Sequence, residues 1–211
     1  LLERLDELRP ELRKIFLVIL RSAFDHPDEL VLFLPMGRHG VAWRNNLVRW
    51  YADLAQKLDL SITAYRSRPE QLLSNIDEEQ LLATPDLAYE KIGFSGQSFS
   101  STAHVIALKF NGFAARPLLL GEDGIHRLID QDGNAQVEVF AQEEHMLWPL
   151  PEVVLQGRPA PSTARVWNRR TKEVTVPYYA SVPLQESAPW ENLLGIMEEV
   201  VWMIVESRWE S

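Results

Sequence analysis

Residues 104–128 read HVIALKFNGFAARPLLLGEDGIHRL. The first seven alternate in the period of a half-buried strand, with Val105, Ala107 and Lys109 set against Ile106, Leu108 and Phe110. Gly112 then ends the strand and a short apolar run follows. Gly121-Glu122-Asp123-Gly124 turns the chain into Ile125-His126-Arg127-Leu128, which opens a second strand. Downstream, residues 127–131 and 136–141 flank Asp132-Gly133-Asn134. That triplet is a hairpin signal, because Asp-Gly tolerates the positive φ that tight hairpins need.

Upstream, residues 30–34 (LVLFL) form a short, wholly apolar strand suited to burial on both faces. Trp43, Leu47, Trp50, Tyr51, Leu54 and Leu58 recur at three- and four-residue spacing, so a helix is expected over 43–58. Residues 60–65 alternate as a strand, 69–82 read as a helix with a charged outer face, and the Gly- and Ser-rich 91–102 read as a loop. Residues 147–161 hold several prolines and promise little regular structure. Residues 164–168 and 173–176 offer one more strand pair.

Both ends carry helical stripes. Apolar residues at 1, 2, 5, 8, 12, 15, 16, 19 and 20 make an N-terminal arm that Pro10 divides. Ser187 caps a C-terminal amphipathic helix with Pro189 in its first turn, where a missing N–H costs nothing. The fold expected is therefore α+β: a mixed β-sheet packed by the aromatic-rich helix, with helical additions at either end. Three regions follow: an arm at 1–29, a core domain at 30–145, and a proline-rich linker, strand pair and terminal helix at 146–211.

The chain has 211 residues, 46% hydrophobic and 24% charged, as in ordinary globular domains. Its formal net charge of −9 argues against a broad nucleic-acid footprint, which needs a basic face, and DNA is not expected as a partner. With no cysteine, disulfides, thiolate metal sites and cysteine nucleophiles are excluded, and a reducing cytoplasm suits the composition. No apolar run reaches the length of a membrane helix. The chain begins at Leu1, which reads as a segment of a longer protein.

The order strand, glycine loop, aromatic-rich helix, strand, then strand and Gly-Ile-His-Arg-Leu resembles the core (PCRF) domain of bacterial peptide chain release factors, over residues 30–128. WRNNLVRWYADLAQKL at 43–58 is similar to the family helix with its DLxRMYxRYA pattern, and Gly124, His126 and Arg127 match the family's Gly-x-His-Arg. The departures are as informative. Where that family places its codon-reading tripeptide, this chain has the acidic hairpin IDQDGNAQVEVFA. The family's Gly-Gly-Gln loop is represented only by Gly96-Gln97, which precedes the His-Arg motif and lacks the doubled glycine. The resemblance also extends to a divergent branch found beside AAA+ (Clp-like) ATPase modules, where it implies an accessory role.

Candidate binding residues are His126, Arg127, Arg165, Trp167 and Arg169. His126 and Arg127 together would present an imidazole and a bidentate donor for phosphate or carboxylate. The competing and favoured reading has His126 bonding a local backbone group while Arg127 pairs with a nearby acid. Arg165-Val166-Trp167-Asn168-Arg169 has a hot-spot composition, with core packing as its plainer explanation. Residues 37–40 ahead of the helix could cradle an anion, although no Walker ending follows. Asp130-Gln131-Asp132-Gly133-Asn134 lacks the glycine and glutamate of a calcium loop and reads as a turn. The five histidines share no metal-ligand spacing, and nothing assembles a nucleophile, base and oxyanion donor.

No catalytic residue, metal or cofactor is expected. The function expected is a non-catalytic interaction or accessory domain of a larger bacterial, cytoplasmic, ATPase-linked protein, binding a protein partner or a neighbouring domain. The alternative is a ribosome-associated release or rescue factor fragment without codon-reading and hydrolysis motifs.

Overall fold

The computed structural model describes residues 29–36, 40–94, 99–130, 133–143, 146–156, 164–175 and 181–183. The expected N-terminal arm, the C-terminal helix, the anion-cradle residues 37–39 and Gly96-Gln97 lie outside the described residues.

The frame is one nine-stranded sheet of order β3-β2-β4-β1-β6-β5-β7-β8-β9. Its strands are β1 (Glu29–Pro35), β2 (Ser61–Ser67), β3 (Tyr89–Ile92), β4 (Val105–Asn111), β5 (Gly124–Asp130), β6 (Gly133–Glu143), β7 (Ala164–Asn168), β8 (Glu173–Thr175) and β9 (Ser181–Pro183). β5 and β7 run parallel while the other pairs are antiparallel, so the sheet is mixed, as expected for this α+β chain. Residues on both sides of position 145 share this one sheet.

β1, apolar from Leu30 to Pro35, occupies an interior place between β4 and β6. Its alternation divides the core in two. Leu30, Leu32 and Leu34 join the cluster beneath helix α1 (Val41–Lys57), while Val31 and Phe33 join a second cluster on the opposite face. Each such side chain contributes about 1.5–3 kcal/mol by leaving water, which is why a strand with no polar face is stable here.

Helix α1 ends by a defined device. Asp59 takes φ 56°, a left-handed conformation that aspartate tolerates better than most residues. The Leu60 N–H then reaches back to the Ala55 carbonyl at 2.9 Å, closing a Schellman-type cap. This cap presses on Gly112, which follows β4. A Cβ there would meet Leu60 Cδ2 at 2.8 Å, and the residue sits at φ +145°, so glycine is required on two counts.

Three local expectations are corrected. Residues 69–82 form two short helices, α2 (Glu70–Leu73) and α3 (Glu78–Ala83), rather than one. Ser74, Asn75 and Asp77 lie between them, and such side chains offer the backbone alternatives to helical bonding. The reading of 91–102 as loop gives way at its start, because β3 pairs with β2 from Ala64↔Ile92 to Ser67↔Tyr89. Residues 147–161 include helix α5 (Pro151–Gln156), with its proline in the first position, where it costs nothing. The remaining short helix, α4 (Ala115–Leu119), packs Ala115, Leu118 and Leu119 into the α1 cluster.

Candidate binding surface

His126 is fully buried. Successive strand side chains point to opposite faces, so His126 and Arg127 cannot share a surface, and the expectation that both face a partner is corrected for the histidine. Its Nε2 lies 3.0 Å from the Glu122 backbone oxygen and 3.6 Å from Glu122 Oε2. Tyr51 of α1 donates its hydroxyl to the same carboxylate at 2.7 Å, and Trp43 Nε1 donates to the His126 carbonyl at 3.1 Å. The Gly-Ile-His-Arg segment therefore bolts β5 to α1. Replacing Tyr51 with phenylalanine removes a buried hydrogen bond and is expected to cost about 1–3 kcal/mol. Urea unfolding of the pair checks it, and indistinguishable midpoints would show that the bolt carries no weight.

Arg127 stands on the other face of β5, where its Nη2 donates to Gln136 Oε1 at 3.5 Å instead of to an acid. Arg169 pairs with Asp130 at 3.0 Å, and Arg170 donates to the Asp130 carbonyl at 3.2 and 2.9 Å. These arginines clamp the β7–β8 turn to the end of β5. At about one-third exposure, such a pair contributes only about 0–1 kcal/mol. Arg165 pairs through its backbone with His126 in the parallel β5–β7 ladder, and its side chain lies outside the described residues.

Trp167 is fully buried and so packs rather than docks. Its ring lies 5.7 Å from Trp43 and 4.7 Å from Trp50, forming a three-tryptophan cluster under α1. Of the residues nominated from sequence, Arg127 and Arg169 remain on the surface. Among the described residues, no group of three His, Asp or Glu side chains could hold a metal ion. No helix among them is long and apolar enough to cross a membrane.

The opposite face carries a feature that the sequence reading did not assemble. A groove of about 520 Å³ opens between the end of β2, the 3₁₀ turn Pro85–Ala88, the start of β3 and residues 146–148. Trp148 forms its floor, with ring centroids 5.0 Å from Tyr65, 5.3 Å from Tyr89 and 5.4 Å from Phe33. Tyr89 donates its hydroxyl to the Pro149 carbonyl at 2.7 Å, which fastens the 146–150 segment over the sheet. Arg68 and Asp86 stand in the lining, and Met146 and Leu147 are exposed on the rim at 52% and 69%.

Burial, aided by the Glu152 charge, pushes the Tyr89 hydroxyl above its ordinary pKa of 10.0. Above about pH 10 the unfolded chain gives up this proton while the folded chain keeps it, so stability falls with rising pH in that window. Replacement by phenylalanine is expected to flatten this alkaline decline relative to the parent. Parallel alkaline slopes for the two proteins in urea titrations would contradict it.

No protein-family model matches the chain. No curated protein matches it. Among solved structures, RF2 of Thermus thermophilus is similar at 16% identity and a TM-score of 0.39, over 97% of this chain and 59% of that one. This chain thus corresponds to less than two-thirds of that protein. So distant a likeness assigns no activity, substrate or partner.

Proposed function

We propose that this chain is a non-catalytic binding domain on a release-factor-core-like scaffold, serving as the accessory module of a larger bacterial, cytoplasmic protein whose neighbour is an AAA+ (Clp-like) ATPase. The observation that carries the reading is the placement of the Gly-Ile-His-Arg motif. Its histidine is buried and bonded to Glu122, and its carbonyl receives Trp43. Residues engaged in this way hold a scaffold together and are not positioned to act on a substrate. The exposed apolar rim of the groove supports the same reading, since such patches favour protein contacts.

The alternative, a ribosome-associated factor, draws on Arg127 and Arg170, both on the surface beside β5. A pelleting assay with purified ribosomes at low and high salt separates the two. The accessory-domain reading expects the chain in the supernatant at both. Co-sedimentation that weakens steeply with salt, as phosphate contacts do, and that Arg127→Ala abolishes would establish the ribosomal reading instead.

A further inference from the structure

We propose that the groove lined by Trp148 is a docking site for an extended segment of a partner protein in which a large apolar side chain is flanked by an acidic and a basic residue. This deepens the binding-domain reading and rests on it. The groove's volume, about 520 Å³, falls in the range of sites that enclose several side chains rather than one ion. Its floor is aromatic, and Met146 and Leu147 stay exposed at its rim although Trp148 beside them is buried. A bulky side chain seated there would cover apolar surface that the described chain leaves in water.

Charge complementarity selects the flanking residues. Arg68 spends its Nε on the Tyr89 carbonyl, at 3.3 Å, and its position is further set by its backbone N–H bonding to the Ala88 carbonyl at 2.8 Å. Among the described residues it has no carboxylate partner, and Asp86, in the same lining, has no cation partner. The two do not neutralise each other. A guanidinium held by one nitrogen leaves its two terminal nitrogens in the fork geometry that suits a carboxylate. Asp86 offers the matching acceptor for a lysine or arginine. By contrast Arg66, on the neighbouring strand position, is already paired with Glu90 at 2.5 Å.

The test uses the whole chain and fluorescein-labelled octapeptides with central Glu-Leu-Lys or Lys-Leu-Glu, read by anisotropy. Controls carry Gln-Leu-Gln or Glu-Ser-Lys. One of the two charged, apolar peptides is expected to bind saturably, with both controls weaker. Arg68→Gln and Asp86→Asn should each weaken binding by about ten- to a hundredfold. Leu147→Ser should also weaken it, and because Leu147 is 69% exposed this variant keeps its fold. Arg66→Gln should leave binding unchanged. The proposal is overturned if neither charged peptide binds up to its solubility limit, or if binding ignores both Arg68→Gln and Leu147→Ser. Self-association that Leu147→Ser abolishes would make the occupant a second copy of the chain, which also overturns it. The ribosome-pelleting result is independent of each of these outcomes, so failure of the groove leaves the wider reading separately decided.

Discussion

Replacing Trp167 with alanine is expected to destabilise the protein by about 3–5 kcal/mol, the range for emptying a large aromatic from a core. The indole is fully buried, and its neighbours cannot close over the gap cheaply. Trp43 and Trp50 contact each other edge-on at 5.3 Å while each leans on Trp167, so removing one ring deprives two others of packing. A milder series sharpens the argument. Trp167 Nε1 has no hydrogen-bond partner among the described residues, so Trp167→Phe loses volume alone. Trp43→Phe loses similar volume and also removes the indole N–H bond to the His126 carbonyl, which adds about 0.5–1.5 kcal/mol. Chemical denaturation of the three variants should rank Trp167→Phe mildest. A Trp167→Ala loss under about 1 kcal/mol would mean the cluster is not part of the stabilising core.

That cluster marks where sequence reading stopped. β1 was legible because five consecutive apolar residues admit few alternatives to burial, and α1 because its apolar spacing has one helical solution. The β5–β6 hairpin was legible too, but its register was not. Gly133 pairs with Asp130 as the first residue of β6, so its positive φ of 134° serves the strand entry. Trp167 was harder. Tryptophan between arginines has the same composition in a core as in an interface, and what decides between them is β7 lying parallel beside β5. That pairing joins residues about forty positions apart and leaves no local trace. His126 was half legible, since the local-backbone reading anticipated its bond to Glu122, while alternation along β5 settled which face it takes. The groove was out of reach for the same reason as Trp167. Its lining comes from the end of β2, the turn before β3 and residues 146–148, which are brought together only by the sheet.

Arg44→Met is expected to cost about 3–5 kcal/mol, comparable to breaking a buried ionic network, although among the described residues no acid is involved. Arg44 is fully buried on α1 and donates to the carbonyls of Ser101 at 2.8 Å, Ala103 at 2.7 Å and His104 at 3.4 Å. Arg49, one turn on, holds the Phe99 carbonyl at 3.1 and 2.9 Å. The segment before β4 thus has its carbonyls bound by two arginines rather than by a strand or helix. Burial pulls the Arg44 pKa well below its ordinary value, to about 10, so the group remains protonated at neutral pH. The sign follows from that direction. A cation whose folded pKa is lowered costs stability wherever it is charged, that is, below about pH 10. Methionine removes this desolvation cost, yet it leaves the Ser101 and Ala103 carbonyls without those donors, at about 1–3 kcal/mol each. A net loss on unfolding would place the second effect as the larger. Because the guanidinium keeps its proton throughout, the stability gap between Arg44→Met and the parent should stay constant from about pH 5 to 9. Amide exchange should accelerate at Val105, whose N–H bonds the Ser67 hydroxyl at 3.1 Å beyond this segment. An unchanged unfolding midpoint, or equal exchange at Val105, would assign the tethering of residues 99–104 to Arg49 and the sheet alone.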